Sequence, residues 1–134
     1  MHHYLHDLRS YDMHVYLFAR LRDNPDRLLD LRATWNYWLS LPNFSCGKPY
    51  VDGWIKAIDE GLDAVEKLIR DEGDWGQVMR SCSPFGVLWN SPQERWEYIR
   101  WWKREKMPEY ELTRKPAYLK NDTLIQIPLR KEEE

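Results

Sequence analysis

Apolar residues recur at helical spacing over most of the first hundred residues, and the clearest stripe lies in the middle of the chain. It repeats at i, i+3, i+7, i+10 and i+14, which places its members on one face of a helix. The stripe consists of Ile55, Ile58, Leu62, Val65 and Ile69. Asp52 before it is a typical N-cap, and Gly73 after it is a typical C-terminal glycine. The pattern therefore predicts one continuous helix from Asp52 to Gly73.

Two more helices are predicted upstream of this stripe. A weaker amphipathic pattern covers residues 10–22. The next helix has Asn24 as its N-cap and Pro25 as its first helical residue, and it ends before Pro42. Its apolar positions are Leu28, Leu31, Trp35, Trp38 and Leu39. Residues 43–50 are predicted to be a loop, because residues that favour turns cluster there.

A capped helix is predicted near the other end of the chain. The segment "SPQERWEYIRWWKREK", residues 91–106, opens with Ser91 as N-cap, Pro92 at the first helical position and Glu94 as the capping-box residue. A shorter helix over residues 74–82 precedes it. These signals predict that a helix begins at Ser91 and continues through the aromatic run.

The predicted helix over residues 91–106 is unusually rich in tryptophan. At 100° per residue, Tyr98, Ile99 and Trp102 share one face, which favours packing in the core. Trp96 and Trp101 fall on the two borders of that face. A single packing stripe does not need so wide an aromatic arc. We therefore expect one of these two tryptophans to be partly exposed.

The pattern changes after Met107. Short alternating runs replace the helical spacing, "TLIQIPL" is compatible with a strand, and Asn121-Asp122 with the turn of a small β-hairpin. The chain is predicted to be mainly α. It would form a single compact bundle of four or five helices over residues 1–106, with an extended C-terminal arm over residues 107–134.

Composition adds two facts to this picture. Eight Trp and eight Tyr can serve either a dense core or an interface. The net charge of −2 gives no global attraction to nucleic acid, but the charge is uneven. Residues 52–74 carry eight acids and three bases, whereas residues 95–106 carry five bases and two acids. The two segments could pair with each other or meet different partners.

A candidate partner-binding surface follows from the aromatic and basic residues of the predicted helix over residues 91–106. Its members are Trp96, Arg100, Trp101, Lys103 and Arg104. Core packing with snorkelling cations, a protein partner and nucleic acid all remain open for this helix. We expect a non-enzymatic protein-interaction or regulatory protein. The alternative is a nucleic-acid-binding regulator that uses the same basic aromatic helix.

The sequence contains little candidate chemistry. Cys46 and Cys82 form no CxxC pair, and reduced structural thiols are expected. Cys82 as a nucleophile would need a base, and all four histidines lie within the first fourteen residues. His3 and His6 have the spacing of metal ligands, but a frayed N-terminus is the favoured interpretation.

Known catalytic and cofactor motifs are missing from the sequence. There is no P-loop, GxGxxG, HExxH or GxSxG motif, so we expect no catalytic residue, cofactor or metal. No secretory leader and no long apolar run is visible, so a cytoplasmic protein without a membrane segment is expected.

The segment "MRSCSPFGVLWNSPQERW" resembles a motif of small bacterial helical proteins, mostly uncharacterised, with the pattern L-R-x-S-S-P-F-A-G-V-L…E-R. The matching residues are Met79, Arg80, Ser83, Pro84, Phe85, Gly86, Val87, Leu88, Glu94 and Arg95. The resemblance covers residues 12–100, although the Ala between Phe and Gly is missing here. Such proteins resemble partner components of toxin–antitoxin-like modules, which implies an antitoxin-like role and a protein partner.

The motif also has a purely structural interpretation. Ser83 would cap a turn, and Gly86 would permit a close approach or an unusual φ. Arg80 and Arg95 would flank the turn and pair with acids. The alternative is an anion site formed by Arg80, Ser83, Gly86 and Arg95.

Overall fold

The computed structural model describes residues 3–113 of the chain, and these residues are almost entirely helical. They form seven α-helices and two short 3-10 helices, with no β-strand within the described range. The α-helices are α1 His3–Asp23, α2 Leu28–Leu39, α3 Lys48–Glu60, α4 Leu62–Ile69, α5 Asp74–Ser81, α6 Pro92–Glu105 and α7 Met107–Thr113. The 3-10 helices are Pro25–Arg27 and Pro84–Leu88. The predicted mainly-α class is confirmed, with more helices than the four or five expected.

The chain forms two compact units. One contains residues 10–90, and the other contains residues 3–9 together with residues 91–113 of the described chain. This division differs from the predicted one at residue 107. Each unit has its own set of buried side chains, so each is described by itself.

The unit of residues 10–90 has a core built on two buried tryptophans. Trp35 of α2 and Trp54 of α3 have no exposed surface. The indole N–H of Trp54 donates to the carbonyl of Met79 at 2.9 Å, so its polar atom is satisfied inside the core. Around them pack Leu17, Phe18, Leu21, Leu31, Val65, Ile69, Met79, Phe85 and Leu88. Burying large aromatic side chains stabilises a small unit, because each removes about 150–250 Å² from water.

Gly61 divides the predicted continuous helix into α3 and α4. Its φ of 113° lies in the left-handed region that glycine adopts without strain. The apolar stripe runs through the break, since Ile58 before it and Val65 after it are both buried. Periodicity alone therefore could not show the interruption.

Both predicted ends of this helix were wrong. The structure begins α3 after Gly47, so Asp52 lies inside the helix and does not cap it. At the other end α4 stops at Ile69, and Gly73 becomes the N-cap of α5. Pro49 in the first turn of α3 was the better start signal, because proline fits the opening turn of a helix.

The N-terminal segment, expected to be frayed, is helical from His3 onward. α1 begins seven residues before the predicted start at Ser10. Tyr4, Leu5 and Leu8 are buried, and this short apolar set gives the extra turns a packing surface. Asn24 is the N-cap residue and Pro25 the first helical residue, as predicted, but they begin the 3-10 helix before α2, and the side chain of Asn24 makes no capping hydrogen bond.

The second unit packs α6 and α7 with the first turns of α1. Its buried cluster is Tyr4, Leu5, Leu8, Trp102 and Met107. Residues 107–113, predicted as the start of an extended arm, form α7 instead. Burial of Met107 and packing of Tyr110 against the same cluster favour helix here. The remainder of the predicted arm, with its hairpin, lies outside the described residues.

Candidate functional site

The predicted N-cap of α6, Ser91, and its predicted first helical residue, Pro92, are confirmed. The hydroxyl of Ser91 accepts a hydrogen bond from the backbone N–H of Glu94 at 3.1 Å, and Pro92 is the first helical residue. Ile99 and Trp102 are buried, and Tyr98 packs against the same cluster, as the helical projection predicted. This anchoring fixes which side of α6 faces away from the core of its unit.

All five residues of the predicted partner surface are exposed. Trp96 is 53% exposed and Trp101 is 38% exposed, whereas only one of the two was expected to be. Arg100, Lys103 and Arg104 are exposed as well. We refer to Trp96, Arg100, Trp101, Lys103 and Arg104 as the α6 surface.

The members of the α6 surface lie close together on the helix. Trp96, Arg100, Lys103 and Arg104 follow i, i+4, i+7 and i+8 spacing, which is one stripe about 12 Å long. At 100° per residue these four cover an arc of about 100°, and Trp101 widens it to about 160°. The four residues therefore form one aromatic and basic stripe, and the exposed Glu97 lies between that stripe and Trp101.

Positive charge on this helix is only partly compensated. Arg104 pairs with Glu105 at 2.9 Å, but Arg100 and Lys103 form no ion pair with any carboxylate in residues 3–113. The guanidinium of Arg95 lies 5.3 Å from the ring centroid of Trp96, within cation–π range. Burial lowers the pKa of the neighbouring Arg9, and the charge of Arg95 lowers it further. A negatively charged partner would neutralise the positive charge of Arg100 and Lys103.

Part of the acidic segment, by contrast, pairs with cations of its own unit. Glu66 pairs with Arg22 of α1 at 2.8 Å and with Arg70 at 3.2 Å, and Arg32 of α2 pairs with Asp59 at 2.5 Å. The hydrogen bond from Arg22 holds the pKa of Glu66 below its ordinary value. Exposed pairs of this kind contribute little stability, but they neutralise the acidic helix faces locally.

Ser83 caps the turn as predicted, whereas Gly86 has neither the close approach nor the unusual φ that was predicted for it. The hydroxyl of Ser83 accepts from the backbone N–H of Phe85 at 3.0 Å, and Phe85 is buried. Gly86 has no positive φ, and a Cβ added there would meet nothing within 4 Å. Neither a close approach nor an unusual backbone conformation explains this glycine.

Arg80 is a buried structural residue in the first unit. It is 4% exposed, and its Nη1 donates to the carbonyls of Ile69 at 3.1 Å and Asp71 at 2.6 Å. It therefore satisfies carbonyls at the end of α4, which have no partner within the helix. Its guanidinium also lies 5.1 Å from the ring centroid of Tyr11. Arg95 belongs to the other unit, and a joint anion site stays a prediction.

One concave feature of the unit of residues 10–90 was not predicted from the sequence. A pocket of about 830 Å³ lies among α2, the segment of residues 40–47, the start of α3 and the end of α5. Its lining is Trp35, Trp38, Leu41, Pro42, Asn43, Phe44, Ser45, Cys46, Gly47, Tyr50, Val78, Ser81 and Cys82. The sequence did contain one signal for an uncharged pocket, because residues 33–47, which supply most of this lining, contain no charged side chain.

The fold brings together the two cysteines that look isolated in the sequence. Cys46 and Cys82 both line this pocket, and both are half-buried free thiols. Burial, and to a smaller extent the neighbouring Cys46, raise the pKa of the Cys82 thiol to about 12. A thiol that stays protonated at neutral pH is a poor nucleophile, which favours the structural interpretation of Cys82.

The histidines of α1 have different environments. His14 is 7% exposed, its Nδ1 lies 2.7 Å from the carbonyl of Ser10, and its ring centroid is 4.9 Å from that of Phe85. Burial lowers the pKa of His14 to about 4, with a smaller effect from Arg80. His6 is exposed. No group of three or more His, Cys, Asp or Glu with metal-binding geometry occurs in the part of the chain that the structure describes.

Comparison with known proteins adds no relative. No protein-family model matches the chain, and no curated protein and no solved structure matches it either. Among the helices of residues 3–113, none has the length and apolarity that a membrane span requires.

Proposed function

We propose that this is a non-enzymatic, cytoplasmic protein-interaction or regulatory protein, and that the α6 surface is its contact with a protein partner. The observation that carries the proposal is the exposure of Trp96 and Trp101 beside Arg100 and Lys103, which form no ion pair with a carboxylate in residues 3–113. Trp and Arg dominate the energetics of protein interfaces, because they combine large contact area with directional hydrogen bonds.

The charge of the α6 surface indicates the chemistry of the partner. An apolar groove with acidic residues at its rim would cover the tryptophans and pair with Arg100, Lys103 and Arg104. This is the arrangement by which a helix face docks into a groove, with anchors at i, i+4 and i+7. The resemblance to partner components of toxin–antitoxin-like modules supports the narrower proposal that the partner is a toxin-like protein.

Nucleic acid is the second candidate for the same surface. Rings that can stack on bases alternate with cations along α6, which is the arrangement used by proteins that bind single strands. Glu97 and Glu105 on the same helix weaken a phosphate contact. Binding to nucleic acid would fall steeply with salt, because each phosphate contact releases counterions. A mobility-shift assay with single-stranded DNA at about 50 and 200 mM salt tests this candidate, and no shift at the lower salt would exclude it.

The test uses Trp96→Ala combined with Arg100→Ala. The partner is first identified by co-purification from the native host and then purified. We expect its affinity for the double variant to fall at least tenfold, with an unchanged melting curve, since both side chains are exposed. Tyr37→Ala combined with Lys48→Ala removes an exposed ring and an exposed cation from the other unit, and it should bind as the wild type does. Equal affinity of the Trp96/Arg100 variant and the wild type would show that α6 is not the contact.

A further inference from the structure

The pocket of the first unit has a lining without charge. None of its residues is acidic or basic, and four of them, Trp35, Trp38, Phe44 and Tyr50, are aromatic. A charged ligand would lose its hydration there without gaining a counterion from the lining, so the pocket selects against charge. Its volume of about 830 Å³ lies within the range of about 300–1,000 Å³ that is common for small-molecule sites.

Three of the aromatic rings form a corner. The ring of Trp35 stands at 76° to that of Trp38 and at 90° to that of Phe44, with centroids 5.3 and 5.8 Å away. Trp38 and Phe44 are closer to parallel, at 22°, with centroids 6.3 Å apart. Trp35 is fully buried at the back of this corner, whereas Trp38 and Phe44 keep partly accessible faces. The partly accessible rings of Trp38 and Phe44 can pack against an aromatic ring of a ligand.

The tryptophan at the back of the corner is closed to a ligand. The indole N–H of Trp35 finds no acceptor within the described chain, and its Nε1 atom has almost no accessible surface. A ligand in the pocket would therefore contact the partly accessible rings of Trp38 and Phe44, and not this N–H.

From these observations we infer that the pocket formed by α2, residues 40–47 and the end of α5 binds a small, uncharged aromatic molecule. Cys46 and Cys82 form part of its wall. None of the lining residues belongs to α6. A failure of the proposed protein contact would therefore leave this inference unchanged, and the reverse also holds.

Two fluorescent probes that differ by one charged group test the inference. N-phenyl-1-naphthylamine is uncharged, and 8-anilinonaphthalene-1-sulfonate is the same ring system with a sulfonate. We expect the uncharged probe to bind the full chain saturably at one site, with a Kd on the order of 1–100 µM for a ligand of this size. The sulfonate should bind at least tenfold more weakly. Absence of saturable binding by the uncharged probe, or equal affinity for the two, would overturn the inference.

Variants place the probe in the pocket. Phe44→Ala removes one ring from the corner, and Ser81→Phe fills the space at the exposed end of α5. Both should weaken binding of N-phenyl-1-naphthylamine at least fivefold. Tyr37→Ala removes a ring of α2 that does not line the pocket, and it should leave binding unchanged. If neither pocket variant changes the affinity, or if Tyr37→Ala lowers it equally, the probe binds elsewhere and the inference is wrong.

Discussion

At the scale of single residues, burial decides which polar groups act on the fold. Arg80 and His14 are the two buried polar or charged residues of the described chain, and both lie in the first unit. Arg80 donates to the carbonyls of Ile69, the last residue of α4, and of Asp71 just beyond it. His14 is held neutral by burial, with Arg80 contributing a like charge. The neutral state of His14 makes stability depend on pH.

We predict that the free energy of unfolding falls as the pH drops from about 6.5 to about 4. Folding lowers the pKa of His14 from 6.5 to about 4, so between these values the unfolded chain binds the additional proton. The contribution of His14 to the free energy of unfolding is therefore fully present above pH 6.5. It is lost as the pH falls to 4, by about 3 kcal/mol over the whole interval. Urea denaturation at several pH values measures it.

His14→Gln should flatten that dependence, whereas His6→Gln, which alters an exposed histidine of the same helix, should not. An unchanged slope in the His14 variant would show that other groups cause the pH dependence.

At the scale of elements, Gly76 and Gly86 differ in whether the packing around them leaves room for a side chain. α5 follows α4 through a tight connection, and Gly76 lies where that connection crosses the first turn of α5. A Cβ at Gly76 would stand 1.9 Å from the backbone carbonyl oxygen of Asp71. Gly86, in the second 3-10 helix, has open space around it. The motif resemblance draws attention to Gly86, but the packing constraint falls on Gly76.

We predict that Gly76→Ala destabilises the protein by about 3 kcal/mol or more, because backbone has to move to relieve the clash. Gly86→Ala should change stability by no more than about 0.5 kcal/mol. Thermal unfolding followed by circular dichroism compares the two. Similar melting temperatures for both variants would contradict the packing of α5 against the end of α4.

At the scale of the whole molecule, the fold creates neighbours that are distant in the chain. Cys46 lies in the segment after α2 and Cys82 follows α5, yet both line one pocket and interact. Likewise, Glu66 of α4 pairs with Arg22 of α1, and Asp59 of α3 pairs with Arg32 of α2. Neither pairing follows from spacing along the sequence.

We predict that iodoacetamide modifies Cys82 in the folded protein at least tenfold more slowly at pH 8 than in urea, because its pKa of about 12 leaves almost no thiolate. Cys46→Ser removes one cause of the raised pKa and should speed the modification of Cys82. Mass spectrometry of quenched samples gives the rates. Equal rates in folded and unfolded protein would contradict the burial of this thiol.

The helical class and the orientation of α6 could be predicted because they depend on local signals. Ser91, Pro92 and Glu94 cap a helix by contacts within four residues, and the spacing of Ile99 and Trp102 determines its buried face. Boundaries were less predictable. Gly61 interrupts the helix although the apolar stripe continues on both sides of it. Gly73 was predicted to end the preceding helix, but it is the N-cap of α5.

The sequence by itself determined a mainly helical chain, the start of α6 and the face that α6 buries, since these arise from hydrogen bonds and side-chain periodicity within one or two turns. Only the tertiary structure decided that both Trp96 and Trp101 are exposed, that Arg80 holds the end of α4, and that an uncharged aromatic pocket brings Cys46 beside Cys82. These features depend on packing between distant segments, where exposure and proximity result from how helices meet.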